Sequence, residues 1–354
     1  MGEEAPPGLV GDLERAAELE HAVLLQYLFA AASLKRRPDE GVDVLELERI
    51  RDWERTLLAI AREEMAHLAA VSNLLIAVGG APWLVRPGLP GGRLRAGEPA
   101  LVLERFGPGS LARFIALERS GEETISGHYA AIKREIARRA AAGRPVIRAV
   151  PVDRVDGWGV SGDARFPPVT DPESALAVID AIVGQGAAPA GSDSHLGRLL
   201  AIEAELGAQA EGFDPARAVA DPPAPISDPA SATTARTLAV AYQATMLLLA
   251  VHYDLVERGS GAAPQVRRAA QGLMSGVVRP LAEILTELPV GDAAPGRTCG
   301  PEFAWDPGAA LDRPALAAML TAAGAELGAL AREGGPPRAV LVAENLRLAG
   351  ALVA

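Results

Sequence analysis

The chain is poor in cysteine and in positive charge, and it lacks long apolar runs. Its single cysteine, Cys299, has no partner for an intrachain disulfide, which excludes a cross-linked scaffold and suits a reducing compartment. With 34 Lys and Arg against 45 Asp and Glu, the net charge is −11. No Lys/Arg-rich run concentrates the positive charge, so a nucleic-acid partner is not expected. The opening Met1-Gly2-Glu3-Glu4-Ala5-Pro6-Pro7 has neither the basic start nor the apolar run of a secretion signal. The longest apolar segment, Thr237 to Val251, is interrupted by Gln243 and is short for a bilayer span. There is no internal repeat, P-loop, Gly-rich dinucleotide turn or Ser nucleophile elbow. Together these absences predict a cytoplasmic protein with neither membrane nor nucleic acid as partner.

What the chain does have is length, apolar content and helical period. Its 354 residues, 49% of them hydrophobic, can bury a sizeable core in one large or two medium domains. Apolar residues at Ile60, Val71, Leu74, Leu75 and Val78 trace one face of a helix predicted over Leu45 to Val78, stopped by Gly79-Gly80-Ala81-Pro82. Glu64 and His67 fall on the same stripe. An unpaired buried carboxylate is costly, so such a pair is held by satisfying partners or by a metal ion. A first helix, Asp12 to Lys35, buries Leu13, Ala17, Leu24, Tyr27 and Ala31, and Glu20 sits mid-helix within that stripe. Two helices each aiming an acid at one axis point toward a metal site, and Glu-x-x-His is the ligand unit of di-iron carboxylate bundles.

A Pro/Gly-rich connection, Trp83 to Gly97, leads to a third helix predicted over Ser110 to Ala142 with Ser110 as N-cap. Its candidates are Glu118, Glu122, Glu123 and His128, and most of these acids read as a solvated face. Arg144 to Val160 reads as a short hairpin or extended insertion. A helix from Pro172 to Val183 follows. A fourth main helix starts near Ser192 and carries His195, which is either a capping residue or a fourth ligand beside Glu20, Glu64 and His67. Pro and Asp crowd Asp214 to Ala230, the expected boundary. Beyond it, helices are predicted over Ser231 to Arg258, Ala263 to Leu288, Arg313 to Glu333 and Pro337 to Leu352. The expected organisation is a helical bundle over 1–213, a linker over 214–230 and a helical C-terminal region over 231–354. The fold class is all-α.

Several stretches carry a family likeness. Leu19-Glu20-His21-Ala22 with Tyr27, Glu63-Glu64-Met65-Ala66-His67-Leu68 with Asn73-Leu74-Leu75, and Gly79-Gly80 are the first. Phe114, Thr124-Ile125 with Tyr129, Gln185-Gly186, Ser194-His195, Leu288-Pro289 and Thr298-Cys299-Gly300-Pro301-Glu302-Phe303 continue it. The combination resembles the ferritin-like domain of the iminophenyl-pyruvate dimer synthases, a group related to the chromopyrrolate-forming enzymes of bisindole pigment pathways. The resemblance implies a ferritin-like four-helix bundle with Glu20, Glu64, His67 and His195 as metal ligands. Three positions depart from it. Gly127-His128 stands where Glu is expected before Tyr129, Ala187-Ala188 follows Gln185-Gly186 where Glu-Gly is expected, and Leu196 replaces an aromatic after His195.

A symmetric di-iron site uses about four carboxylates and two histidines. Two carboxylates and two histidines suit one divalent ion, iron or another, and Glu123 or His128 would have to supply a second. The expected function is a metal-dependent oxidoreductase or oxygenase of secondary metabolism with a small amino-acid-derived or aromatic substrate. Glu64 and Tyr27 are its catalytic candidates, Tyr27 as a hydrogen-bond or electron donor, and a homodimer through an apolar helix face is expected. A non-catalytic scaffold with a degenerate site is the competing expectation, motivated by Gly127 and Ala187. Iron storage fits less well, because a ferritin cage has no place for the second half.

Overall fold

Two long helices carry the acids. In a computed structural model describing residues 8–89, 92–93, 100–144, 146–148, 152–153, 166–187, 193–221, 223–304 and 313–353, α1 (Leu9–Ser33) and α2 (Val44–Val78) pack along each other. α1 is buried around nearly its whole circumference from Leu19 to Tyr27, as a helix with partners on all sides must be. α2 opens on a capping box, in which Asp43 accepts from the Glu46 N–H and Glu46 from the Asp43 N–H. It closes at Gly79, whose left-handed φ of 94° lets Gly79 and Gly80 donate to the carbonyls of Ile76 and Leu75. The Gly-Gly stop read from the sequence is therefore where the helix ends.

The connection after α2 holds an antiparallel pair of two-residue strands, β1 (Gly92–Arg93) and β2 (Ala100–Leu101). The expected third helix is two. α3 (Pro108–Glu118) and α4 (Ile125–Ala141) are separated at the Ser120-Gly121 turn signal. That turn folds down on Gly127, where a Cβ would come within 2.3 Å of the Gly121 carbonyl oxygen and 2.4 Å of the Glu122 one. α3 begins at Pro108, ahead of Ser110, and the Ser110 hydroxyl instead bridges the Gly107 N–H and carbonyl. Of the expected hairpin between Arg144 and Val160, only 144, 146–148 and 152–153 are described and they contain no strand; the rest lies outside the described residues. Asn73 of α2 pins this segment, donating to the Asp153 carbonyl and accepting from its N–H.

α5 (Pro172–Ala187) runs four residues beyond its expected end, which makes Gln185 and Gly186 helical. α6 (His195–Gly207) is capped by Ser194, whose hydroxyl accepts from the Gly197 N–H. α3 and α4 pack on α6 and α5 respectively, α4 also on α1, and α5 and α6 on α2, which closes a bundle around α1 and α2.

The segment after α6 is stitched into the fold. Arg217 donates to the Ala32 carbonyl, Thr286 and Glu40, and Leu34 bridges Ala216. Then come α7 (Pro229–Glu257), α8 (Ala263–Leu273), α9 (Arg279–Leu285), α10 (Arg313–Arg332) and α11 (Ala339–Val353). The single helix expected over Ala263 to Leu288 is interrupted by a π turn at Met274–Val278. Pro280 has no N–H for the Gly276 carbonyl, and the Asn345 side-chain amide supplies the donor at 2.9 Å. By length and composition α7 could cross a bilayer, as could Pro314–Arg332 of α10, although the interruption at Gln243 argues otherwise from sequence. In this fold 61% of the α7 window is buried, and α7 packs on α8, α9 and α10.

Candidate metal centre

Six bundle helices each send a polar side chain to one buried point. Glu20 comes from α1, Glu64 and His67 from α2, Glu118 from the last residue of α3, Tyr129 from α4, Gln185 from α5 and His195 from the first residue of α6. The i, i+3 spacing puts Glu64 and His67 on one face, and their side chains meet at 2.9 Å between Glu64 Oε2 and His67 Nδ1. The second Glu64 oxygen, Oε1, lies 3.0 Å from His195 Nδ1. Glu20 Oε2 is 3.3 Å from His67 Nδ1, and Glu118 Oε1 is 3.3 Å from His195 Nδ1. The result is two triads, Glu20/Glu64/His67 and Glu64/Glu118/His195, each with its ligand atoms within 4.8 Å of one another and sharing Glu64.

Each imidazole is held from behind. His67 Nε2 meets Gln185 Oε1 at 2.9 Å, and His195 Nε2 meets Glu63 Oε2 at 2.9 Å. Glu63 is in turn paired with Arg198. These partners leave both Nδ1 atoms facing the carboxylates, the arrangement by which outer groups orient metal-ligating histidines. The outer carboxylates are held as well: Tyr129 donates to Glu20 Oε1 at 2.5 Å and Tyr27 to Glu118 Oε1 at 2.7 Å.

The electrostatics are those of a cation site filled by protons. Burial, followed by the Glu64 charge, raises Glu20 to about 8. Burial alone would lower His67, but Glu64 and Glu20 outweigh it and raise it to about 10; His195 is likewise raised well above the usual imidazole range by Glu64 and Glu118. Burial opposes ionisation of Glu64 too, yet the two imidazoles hold it well below the usual carboxylate range. Burial and the neighbouring carboxylates push both tyrosines up, so they remain hydrogen-bond donors. Three buried carboxylates with two imidazole nitrogens aimed between them form a hard donor set that fits divalent cations, and the triads provide for two.

Sequence reasoning placed Glu20, Glu64, His67 and His195 in one cluster, and the structure brings all four together. The other two candidates do not reach it. Glu123 is exposed in the α3–α4 turn, because the helix that would have carried it inward is broken there. His128 is buried but spends Nε2 on the Asp12 carbonyl at 2.8 Å. The third carboxylate is instead Glu118, one of the three candidate acids on a stretch read as mostly solvated, and the donor set grows from one triad to two. The alternation of apolar Phe114, Ile115 and Leu117 before Glu118 was the available signal. Glu63 and Tyr129 support the cluster through His195 and Glu20, contacts that no local pattern in the sequence signals. Gly186 makes room for the new ligand, since a Cβ there would lie 2.9 Å from Glu118 Oε2. Tyr27 touches Glu118 and meets the Phe114 ring at a tilt of 55° with centroids 4.8 Å apart.

The match to known proteins follows this geometry. A ferritin-like family model covers residues 13–202, more than half of the chain and all of the cluster. The chain belongs to the ferritin-like family. This ferritin-like chain is 30% identical over 346 residues to a 2-imino-3-(indol-3-yl)propanoate dimerase of Chromobacterium violaceum, covering 84% of this chain and 34% of that protein. It is 29% identical over 372 residues to a dichlorochromopyrrolate synthase of Lentzea aerocolonigenes, covering 84% of this chain and 36% of that one. The chain thus spans about a third of the length of these curated relatives. The crystal structure of a ferritin-like protein from Caulobacter vibrioides superposes with a TM-score of 0.54 at 18% identity, over 76% of this chain and 94% of that one, and supports the fold. By their names the two relatives are a dimerase of an indolyl imino acid and a synthase.

Proposed function

We propose that this ferritin-like protein is a metal-dependent oxidoreductase or oxygenase of secondary metabolism, acting on a small amino-acid-derived or aromatic substrate at a two-cation carboxylate centre. The observation that carries this reading is the sharing of Glu64 between two triads, since a bridging carboxylate offsets the repulsion of two adjacent cations. The names of the two relatives support the substrate class.

Glu20, Glu64, His67, Glu118 and His195 would hold the cations. Iron bound there would supply Lewis acidity and dioxygen-dependent redox chemistry. Gln185 and Glu63 fix the two imidazoles, and Tyr129 and Tyr27 fix the outer carboxylates, so the donor set is in place before any ligand arrives. Burial of all five donors keeps bulk water from the centre. The free space against the cluster, lined by Ile125, Ser126, Ile182 and Ala187, is only about 20 Å³, room for one molecule the size of water. An aromatic ring does not fit there, so an aromatic substrate would meet the centre from outside this space.

Reconstitution with Fe(II) without oxygen, followed by elemental analysis and oxygen uptake, tests the reading. Two equivalents of iron per chain, and oxygen consumption that depends on an aromatic imine or amino-acid-derived partner, are expected. A folded protein that takes up no iron would replace this reading with a scaffold that keeps its charges balanced by protons.

A further inference from the structure

A sizeable apolar cavity lies away from the metal centre. About 290 Å³ of space lies between α1, α2, α7 and the π turn, walled by Leu24, Leu28, Met65, Met246 and Leu249. It shares its walls with the centre in a regular way. Each of Glu20, Glu64 and His67 is followed by a residue that lines the cavity, namely His21, Met65 and Leu68. Consecutive helical residues point about 100° apart, so α1 and α2 present their ligands to one site and their next neighbours to another.

Two unusual backbone features line this cavity. The π turn, rare and often found at functional sites, carries Met274, Ser275 and Val278 to its wall. Phe303 lines it at a φ of 48°, a strained value for an aromatic residue. Phe303 is locked there: Arg86 donates to its carbonyl at 2.7 Å, its ring lies 5.7 Å from Tyr242, and Gly300 packs where a Cβ would strike Phe29 at 2.6 Å. The Gly300-Pro301-Glu302-Phe303 motif, which the metal centre does not use, contributes Phe303 to this wall.

The polar lining includes His21, Tyr242 and two arginines, of which Arg279 is engaged by Glu283 at 2.9 Å. Tyr242 and His21 Nε2 are 2.9 Å apart, and burial keeps His21 neutral. His21 Nδ1 makes no hydrogen bond of normal geometry, although the Val85 backbone is nearby. At the mouth Arg62 is exposed and makes no ion pair or hydrogen bond with any described residue. A dry apolar cavity of about 150 Å³ accommodates benzene. This one is about twice that size.

We propose that this cavity binds a small aromatic carboxylate of about two fused rings, with the rings between α1, α2 and α7 and the carboxylate at Arg62. The site is separate from the metal centre and needs no metal, so it stands or falls independently of the reading above. The test is calorimetric titration of the full chain with 2-naphthoate and with the uncharged naphthalene-2-carboxamide. Both are expected to bind at one site per chain. Arg62→Ala, at an exposed position, should weaken naphthoate about tenfold and leave the amide unchanged. Ala61→Phe, which grows a ring into the cavity, should abolish both; Ala69→Phe is the second blocking variant if the first loses its far-ultraviolet helical signal. Absence of saturable binding to the wild type, or full binding by a folded blocking variant, would overturn the site. Equal loss of both ligands in Arg62→Ala would overturn its carboxylate end.

Discussion

His67 and His195 stack with ring centroids 5.4 Å apart and planes inclined by 28°, although 128 positions separate them in the chain. Glu64 is what joins them, with one carboxylate oxygen on each Nδ1. The pair and its shared acid make the centre symmetric, and the first consequences concern stoichiometry.

Glu64→Ala is expected to remove both metal equivalents, whereas Glu20→Ala should remove one, because only Glu64 belongs to both triads. Metal-free Glu64→Ala also leaves two buried imidazoles without their common counter-charge, a loss of about 3–5 kcal/mol of stability by the usual behaviour of broken buried pairs. Elemental analysis and denaturant unfolding of the two variants side by side check both statements. Equal metal loss in the two variants would contradict a shared ligand.

Metal uptake should be strongly pH-dependent. Glu20 at about 8 and His67 at about 10 are raised in the metal-free fold, so both carry protons at neutral pH, and a cation must displace them. Affinity therefore rises with pH, about tenfold per unit for each proton released, while the pH lies below the pKa of the group releasing it. Above pH 8 the slope should fall by one proton as Glu20 ionises unaided. Competition titrations at pH 6, 7 and 8 measure the slope, and a flat profile would show that protons do not occupy the site.

Gly186→Ala separates site from stability. The added methyl meets only the end of the Glu118 side chain, 2.9 Å away, which can swing aside. At the last turn of α5, alanine recovers part of the about 1 kcal/mol by which it surpasses glycine in a helix interior, so the variant should unfold no more easily than the wild type. It should nevertheless bind one metal fewer, because Glu118 leaves its triad. Thermal denaturation and metal content together read out this split.

Gly127→Ala should do the reverse. Its methyl would run into backbone carbonyls of the α3–α4 turn, which cannot move without breaking the turn, at a cost of about 1–3 kcal/mol. Metal stoichiometry in the surviving folded protein should stay at the wild-type value, since Gly127 contributes no ligand. A Glu placed at 127 is for the same reason not expected to add a metal.

The sequence alone determined the two long helices α1 and α2 and the aim of their acids. Periods of 3.6 residues placed Glu20, Glu64 and His67 inward, and Gly79-Gly80 marked the end of α2, because side-chain direction along one helix and the need for a left-handed cap are local properties. The departures at Gly127 and Ala187 were equally visible, but their meaning was not. Whether the third helix ran on or broke depended on the turn seated on Gly127, and the break is what turned Glu118 inward and left Glu123 in solvent. The pairing of His195 with Glu64, the support from Glu63 and Gln185, and the cavity behind the centre join residues far apart in the chain. Only tertiary packing decides these, because a buried charge is satisfied by whichever partner the fold brings within about 3 Å, wherever in the sequence it lies.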